Sequence, residues 1–152
     1  MSKPNYSTAF TVDQSPEEVF AAITNPRRWW SGDIDGDTNR VGAVFTYHHG
    51  TGNGTTHRST QRVTELVPGK RVAWNVVDSD LSFLRHREEW KGTDIIFDVS
   101  KKRGKTEVRF THVGLAPEFE CYDSCSSAWG MLINGNLRKL IATGEVQPDP
   151  FE

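Results

Sequence analysis

Large and small side chains alternate with a period of two near the start of the chain. Within residues 6–12 the larger side chains occupy every second position, which is typical of a strand with one buried face. Ser15 and Pro16 then predict a helix start, because serine can cap a helix and proline suits its first position. Glu18 completes a capping box. Pro26 ends this short helix, since the residue before a proline avoids helical dihedral angles.

The period of two returns in the middle of the chain. Residues 27–30 first predict a second short helical turn, which carries two adjacent tryptophans. From Arg40 onward we expect a meander of antiparallel strands, separated by turn signals at Pro68-Gly69 and at residues 101–105. Residues 60–67 are predicted to form one of these strands. In the others, the positions of the alternating pattern are Val41, Ala43, Phe45 and Tyr47; Val72, Trp74 and Val76; Ile95, Phe97 and Val99; and Val108, Phe110 and His112. Residues 78–90 follow no period and are interpreted as irregular.

Apolar side chains recur at steps of three and four residues in the last part of the chain, which is the spacing of an amphipathic helix. They are Trp129, Leu132, Ile133, Leu137, Leu140 and Ile141. The pattern predicts a helix from Glu118 to Thr143 that Gly144 closes. Because neither repeats nor linkers interrupt the pattern, residues 1–152 are predicted to form a single α+β domain.

Several segments match one family in their order and spacing. They are residues 12–20 (VDQSPEEVF) followed by Trp29-Trp30, residues 40–45 (RVGAVF), and residues 110–115 (FTHVGL) followed by Trp129-Gly130 and residues 137–144. The chain therefore resembles the START-like superfamily, also called SRPBCC or birch-pollen-allergen-like. It looks closest to the branch related to the C-terminal domain of the activator of the heat-shock-protein-90 ATPase. This resemblance implies a helix-grip fold, in which a curved antiparallel sheet of six to seven strands wraps round the long C-terminal helix, with two short helices after the first strand.

Composition and charge narrow the classes of partner. The formal net charge of -2 argues against a protein that neutralises nucleic-acid phosphates. The basic residues at 101–105 are typical of a solvated hairpin loop. No stretch approaches the roughly 20 apolar residues of a membrane span, and the first residues lack the apolar region of a signal peptide. Two cysteines make no disulfide framework. We expect a cytoplasmic protein without a nucleic-acid partner or a membrane span.

Five histidines and two cysteines raise the question of a metal site. His86 is followed four residues later by Trp90, where an HExxH motif needs its second histidine. Cys121 and Cys125 lack the further ligands of a zinc site, and the acidic residues 33–37 lack the glutamate of an EF-hand loop. Neither a metal nor another cofactor is predicted. Because the two cysteines share a helical stripe, a reactive thiol facing the interior is kept as a secondary hypothesis.

A curved sheet that faces a helix can leave an apolar pocket between them. The predicted lining residues are Phe45, Tyr47, Trp74, Phe97, Phe110, His112, Trp129 and Ile133. Each ring taken alone is as typical of a filled core, and His112 taken alone is typical of a structural histidine bonded to the backbone. Together the rings would supply burial, and His112 or Tyr47 would orient a ligand.

These patterns favour a noncatalytic protein that encloses a small hydrophobic or aromatic molecule. The sequence contains neither a nucleophile elbow nor a dinucleotide-binding glycine motif, and no catalytic residue is assigned. The resemblance implies two alternatives. One is an interaction protein that acts on a chaperone, and the other is a pocket enzyme of the polyketide cyclase or aromatase type. The expected protein partner is then a chaperone or a second copy of the chain.

Overall fold

The computed structural model describes residues 5–30, 33–50, 56–81, 85, 89–115 and 122–147. Its strands are β1 (Asn5–Val12), β2 (Asp33–Asp35), β3 (Val44–Gly50), β4 (Thr56–Val67), β5 (Arg71–Leu81), β6 (Asp94–Lys102) and β7 (Lys105–Val113). Its helices are α1 (Pro16–Ile23), a 3-10 turn (Pro26–Arg28), α2 (Tyr122–Gly130), a π-helical segment (Met131–Leu137) and α3 (Arg138–Thr143). The last three follow one another without a break and together form the C-terminal helix.

The strands of the described residues form one antiparallel sheet in the order β1-β7-β6-β5-β4-β3-β2. From β2 to β7 each strand pairs with the next one along the chain, as in a meander, and β1 joins the far edge beside β7. The C-terminal helix and α1 pack against one face of this sheet. The predicted helix-grip fold is confirmed, with seven strands, a long C-terminal helix and two short helical elements after the first strand.

The short helix α1 begins as its sequence predicts. The Ser15 hydroxyl accepts a hydrogen bond from the Glu18 backbone N–H and donates one to the Glu18 carboxylate, both at 3.2 Å. The first bond is the serine half of the predicted capping box and satisfies a backbone donor that the first turn would otherwise leave without a partner, whereas the Glu18 carboxylate accepts from the Ser15 hydroxyl instead of the Ser15 backbone N–H. Val19 and Ile23 are buried, so the helix turns its apolar side toward the sheet.

The C-terminal helix ends at the predicted residue. Gly144 has a φ of 77°, a left-handed conformation that favours glycine, and its N–H donates to the Leu140 carbonyl at 2.7 Å. The predicted start at Glu118 lies outside the described residues, which resume at Tyr122. The π-helical segment was not predicted, because widening a helix by one residue leaves the apolar spacing of three and four residues nearly intact.

Strand β5 is longer than the sequence predicts. Residues 78–81, interpreted as irregular, continue the strand to Leu81. The physical reason is a bulge: Thr60 pairs with Asp78, whereas the next residue of β4, Gln61, pairs with Val76. Val77 is the extra residue. The inward positions are therefore even-numbered before it, as at Trp74 and Val76, and odd-numbered after it, as at Ser79 and Leu81. Residues 82–84 and 86–88 of the same irregular segment lie outside the described residues.

One further prediction about the strands is wrong. Val41 was placed on the same face as Ala43, Phe45 and Tyr47, but it lies before β3 and its side chain is 62% exposed. The other three residues are buried and face the C-terminal helix side of the sheet. Within the described ranges, no helix has both the length and the apolar character needed to cross a membrane.

Candidate functional site

All the residues predicted to line a pocket are buried, and all except His112 belong to one apolar cluster between the sheet and the C-terminal helix. Their side chains are at most 2% exposed. They are Phe45, Tyr47, Trp74, Phe97, Phe110, His112, Trp129 and Ile133. Six of them occupy inward positions on strands of the sheet between β3 and β7, and Trp129 and Ile133 face these strands from the C-terminal helix.

Five of these rings form a continuous series of contacts across the interior. Trp74 meets Phe45 edge to face, with ring centroids 5.0 Å apart, and meets Phe97 at 5.1 Å. Phe97 contacts Phe110 at 5.2 Å, and Phe110 contacts Trp129 of the helix at 4.7 Å. These distances lie in the range preferred by aromatic pairs. The series therefore links the sheet to the C-terminal helix through rings alone.

The adjacent tryptophans at 29 and 30 lie at the centre of this series. Trp30 stacks on Tyr47 with centroids 4.2 Å apart and planes 14° apart. It also lies nearly parallel to Trp74, at 6.1 Å and 2°, and contacts Trp129 at 5.2 Å. Trp29 is stacked with Trp74 at 6.5 Å. The sequence pattern predicted only a short helical turn for this segment, so the insertion of Trp30 between sheet and helix was missed.

Backbone and side-chain hydrogen bonds hold the tryptophan pair in place. The Trp29 indole N–H donates to the Ala22 carbonyl at 3.1 Å, and the Asn136 amide donates to the Trp29 carbonyl at 3.3 Å. The Trp30 backbone N–H donates to the Pro26 carbonyl at 2.7 Å. The 3-10 turn thus points both indoles inward. A sequence signal was present, since exposing two adjacent tryptophan rings to water is energetically unfavourable.

Trp90 is a further ring of the site that the sequence analysis did not find. It stacks on Trp129 with centroids 5.7 Å apart, and it meets His112 at 4.8 Å and His57 at 4.7 Å edge to face. Its carbonyl accepts a hydrogen bond from Thr93 at 2.6 Å. Trp90 lies in residues 78–90, which show no periodic pattern, so the large apolar side chain was the only sequence feature that indicated burial.

Both ring nitrogens of His112 have protein partners. The Trp129 indole N–H donates to Nδ1 at 3.1 Å, so Nδ1 carries no proton. The proton is therefore on Nε2, which lies 2.8 Å from the Thr93 hydroxyl. That hydroxyl donates onward to the Trp90 carbonyl. His112 thus joins β7, the segment before β6 and the C-terminal helix through side chains, rather than bonding to the backbone.

The two interior histidines are neutral at ordinary pH. The pKa of His112 is lowered to about 3, mainly by burial and to a smaller extent by the nearby His57. Burial likewise lowers the pKa of His57 to about 3, with a smaller contribution from His49. A proton on either ring would be a charge in an apolar interior. His112 therefore fixes the geometry of neighbouring rings and does not exchange protons near neutral pH.

A small polar patch lies on the same face of the sheet as the rings. Ser59, Gln61 and Ser79 are at most 1% exposed, and we call these three residues the polar floor. Ser59 is paired across the sheet with Tyr47 on one side and with Ser79 on the other. The Gln61 amide N–H donates to the Ser59 hydroxyl at 2.6 Å. The patch was not predicted, because a buried serine or glutamine in a strand does not differ in sequence from an exposed one.

Some buried polar atoms of the site have no hydrogen-bond partner among the described residues. They include the side-chain oxygen of Gln61 and the indole N–H groups of Trp74 and Trp90. Leaving such a buried group without a partner costs about 1–3 kcal/mol. Native cores contain few of these groups, and each calls for a physical explanation.

The described residues contain no group of three or more histidine, cysteine, aspartate or glutamate side chains arranged to hold a metal ion. Cys125 is buried at 4% exposure, and Cys121 lies outside the described residues. The stripe that would join both cysteines to Trp129 is thus described only in part.

A family model described as Activator of Hsp90 ATPase homolog 1-like protein matches residues 13–142. A search of curated proteins gives no significant match. Among solved structures, the Aha1 dimer from Colwellia psychrerythraea is similar at 26% identity and a TM-score of 0.69, covering 92% of this chain and 97% of that one.

Two other solved structures share the fold at lower identity. A protein from Arthrobacter aurescens is 14% identical with a TM-score of 0.72, covering 97% of this chain and 92% of that one. DynU16, a protein in the dynemicin biosynthetic locus, is 16% identical with a TM-score of 0.66. That similarity covers 93% of this chain but 48% of DynU16.

Proposed function

This chain belongs to the Activator of Hsp90 ATPase homolog 1-like family, and from that premise we propose that it encloses a small aromatic molecule between its sheet and its C-terminal helix. The ligand contacts the rings named in the sequence analysis, together with Trp30 and Trp90. The proposal includes no catalytic step.

The stacking of Trp30 is the observation that carries this proposal. Its ring lies against Tyr47 of β3 at 4.2 Å, lies parallel to Trp74 of β5 and contacts Trp129 of the helix. The interior between these two strands and the helix therefore already holds one flat aromatic ring. A planar ligand ring can make the same contacts when Trp30 moves off Tyr47. Each such ring pair contributes about 0.5–1.5 kcal/mol beyond the burial of apolar area.

The hydrogen bonds and the pKa of His112 argue against a role in proton transfer. Its two nitrogens are engaged by Thr93 and Trp129, and its lowered pKa keeps it neutral. A general acid or base works best when its pKa lies near the operating pH. The cyclase or aromatase alternative would therefore need another acid or base.

Thermal unfolding with an apolar aromatic probe tests the proposal. Methylnaphthalene at a hundredfold excess over its Kd should raise the free energy of unfolding by about 2.7 kcal/mol. Tyr47→Leu should weaken binding about tenfold, because it removes the ring that stacks on Trp30. Phe20→Leu is the matched control, since Phe20 is only half-buried and belongs to none of the ring contacts described above.

Two results would contradict the proposal. One is an unfolding temperature that does not change with any neutral aromatic probe. The other is an equal loss of affinity in the Tyr47 and Phe20 variants, which would mean that the probe binds outside the ring cluster.

A homodimer is the second proposal, and the relative solved as an Aha1 dimer supports it at 26% identity over nearly the full length of both chains. Sedimentation equilibrium should give about twice the chain mass of 17.1 kDa at micromolar concentration. A single species with the mass of one chain, over the whole concentration range, would remove this proposal.

A chaperone partner is the alternative that the family description itself suggests. The test is a pulldown of purified Hsp90 with the full chain, followed by an ATPase assay of the chaperone. Association with a raised ATPase rate would support this role, and the absence of association would exclude it.

A further inference from the structure

We propose that the polar floor and its neighbouring indoles recognise a neutral hydroxyl group on the aromatic ligand, so that the ligand class is a phenol rather than a pure hydrocarbon. This inference rests on the proposed function, because it adds a polar contact to the same binding site. It is carried by buried polar atoms whose hydrogen bonds are incomplete.

Gln61 is the first of these groups. Its side chain is fully buried, and one end of its amide bonds Ser59 at 2.6 Å while the other end has no partner among the described residues. Turning the amide over exchanges its two ends but still leaves one of them without a partner. A ligand hydroxyl suits either orientation, because it can both donate and accept a hydrogen bond.

Trp74 supplies the second group. Its indole N–H is buried and has no acceptor within the described part of the chain. Val63 faces Trp74 across the β4–β5 pair, and Gln61 lies two residues from Val63 on the same strand. Trp74 and Gln61 are therefore diagonal neighbours on one face, a relation in which side chains come within about 7–8 Å. One oxygen atom between them can accept from the indole and donate to the amide oxygen.

Trp90 adds a donor at the border of the polar floor. Its indole N–H also has no acceptor among the described residues. Its ring packs on His57, and His57 in turn packs on Tyr47, which is paired with Ser59 of the polar floor. Of the three groups argued from here, the indoles of Trp74 and Trp90 can only donate, so the ligand atom that they recognise must above all be an acceptor oxygen.

The site favours an uncharged ligand group. None of the buried side chains in the described ranges is an aspartate, glutamate, lysine or arginine. An ionised ligand would therefore bury a charge without an opposite charge, which costs far more than an unmade hydrogen bond. A phenol stays neutral near pH 7, as tyrosine does with its pKa of about 10.

Two probes of the same shape test this inference. Naphthol and methylnaphthalene, substituted at the same ring position, differ in one hydroxyl against one methyl group. The wild-type chain should bind naphthol about tenfold more tightly, since buried donors and acceptors reject an analogue that leaves them unpaired. Gln61→Leu should remove most of that preference by weakening the binding of naphthol. Calorimetric titration gives both constants.

The stability of the unliganded variant gives an independent reading. Gln61→Leu removes the partnerless amide oxygen but also leaves the buried Ser59 hydroxyl without its hydrogen-bond partner, so the two effects oppose each other and the unfolding temperature should change by no more than a few degrees. Arg62→Leu is the matched control, because it places the same new residue next along β4 on the exposed face. Gln61→Met repeats the experiment with a more adaptable side chain if the leucine variant does not fold.

The outcomes separate this inference from the proposed function. Loss of the naphthol preference in both Gln61 variants, with the preference kept in Arg62→Leu, supports it. Equal binding of the two probes by the wild type, or a preference that survives in the Gln61 variants, overturns the inference and leaves the proposed function standing. Binding of neither probe overturns both.

Discussion

His112 is the residue whose role changed most between sequence and structure. The period of the strand placed it inward beside Phe110, and this is where it lies. The sequence could not reveal its partners, because Thr93 and Trp129 come from elements that only the fold brings together. A buried histidine with both nitrogens engaged holds its neighbours in one arrangement, whereas one with a nitrogen facing a cavity can serve a ligand.

The neutral histidines predict a loss of stability in acid. In the unfolded chain their pKa is about 6.5, whereas in the folded chain it is lowered to about 3 for both His57 and His112. Below pH 6.5 the unfolded state therefore binds more protons, and stability falls as the pH decreases toward 3. Each histidine contributes a slope of about 1.4 kcal/mol per pH unit within that window.

Replacement of His112 by glutamine isolates its share of this slope. Glutamine can accept from Trp129 and donate to Thr93 but does not titrate. We expect the variant to be less stable by about 1–3 kcal/mol near pH 7. Its stability should fall less steeply between about pH 6 and pH 4, by about 1.4 kcal/mol per unit. Urea unfolding at several pH values measures this, and identical slopes for both proteins would show that the histidine is not buried in its neutral form.

At the scale of elements, the sequence predicts those whose signals are local. The capping box of α1 and the glycine that ends α3 lie within a few residues of the features they control. The end of β5 was mistaken because the bulge opposite Thr60 and Gln61 changes which residues face inward, and bulges depend on the partner strand. Trp30, Trp90 and the polar floor were missed for a related reason, since contacts across elements decide their positions.

Two glycines of the C-terminal helix predict opposite effects of one substitution. Gly144→Ala should destabilise the protein by about 1 kcal/mol, because alanine pays a steric cost at a φ of 77°. Gly135→Ala should stabilise it by up to about 1 kcal/mol, because its φ is not positive and an added Cβ meets no other atom within 4 Å. Chemical denaturation of both variants checks this pair. If both substitutions stabilised the protein, or both destabilised it, the result would contradict the described end of the helix or its path through the π-helical segment.

At the scale of the whole molecule, the order of elements predicts an α+β domain with one antiparallel sheet and one long helix, because consecutive antiparallel strands usually pair and the helix must cover their apolar face. The helix-grip arrangement itself was implied by the family resemblance. The same order does not settle how the interior is used. Rings that line a binding site and rings that fill a core share composition and period. The structure adds two features that the pattern cannot contain, which are the stack of Trp30 on Tyr47 and the incomplete hydrogen bonds of Gln61, Trp74 and Trp90.

The most direct test of ligand enclosure uses the indole N–H signals of the five tryptophans in a proton–nitrogen NMR spectrum. All five rings are buried in the cluster between sheet and helix, so each reports on the interior. Addition of naphthol should shift the signals of Trp30, Trp74 and Trp90 and give nuclear Overhauser contacts between these indoles and the naphthol ring. Unchanged indole signals at saturating naphthol, or shifts confined to exposed residues, would contradict the account.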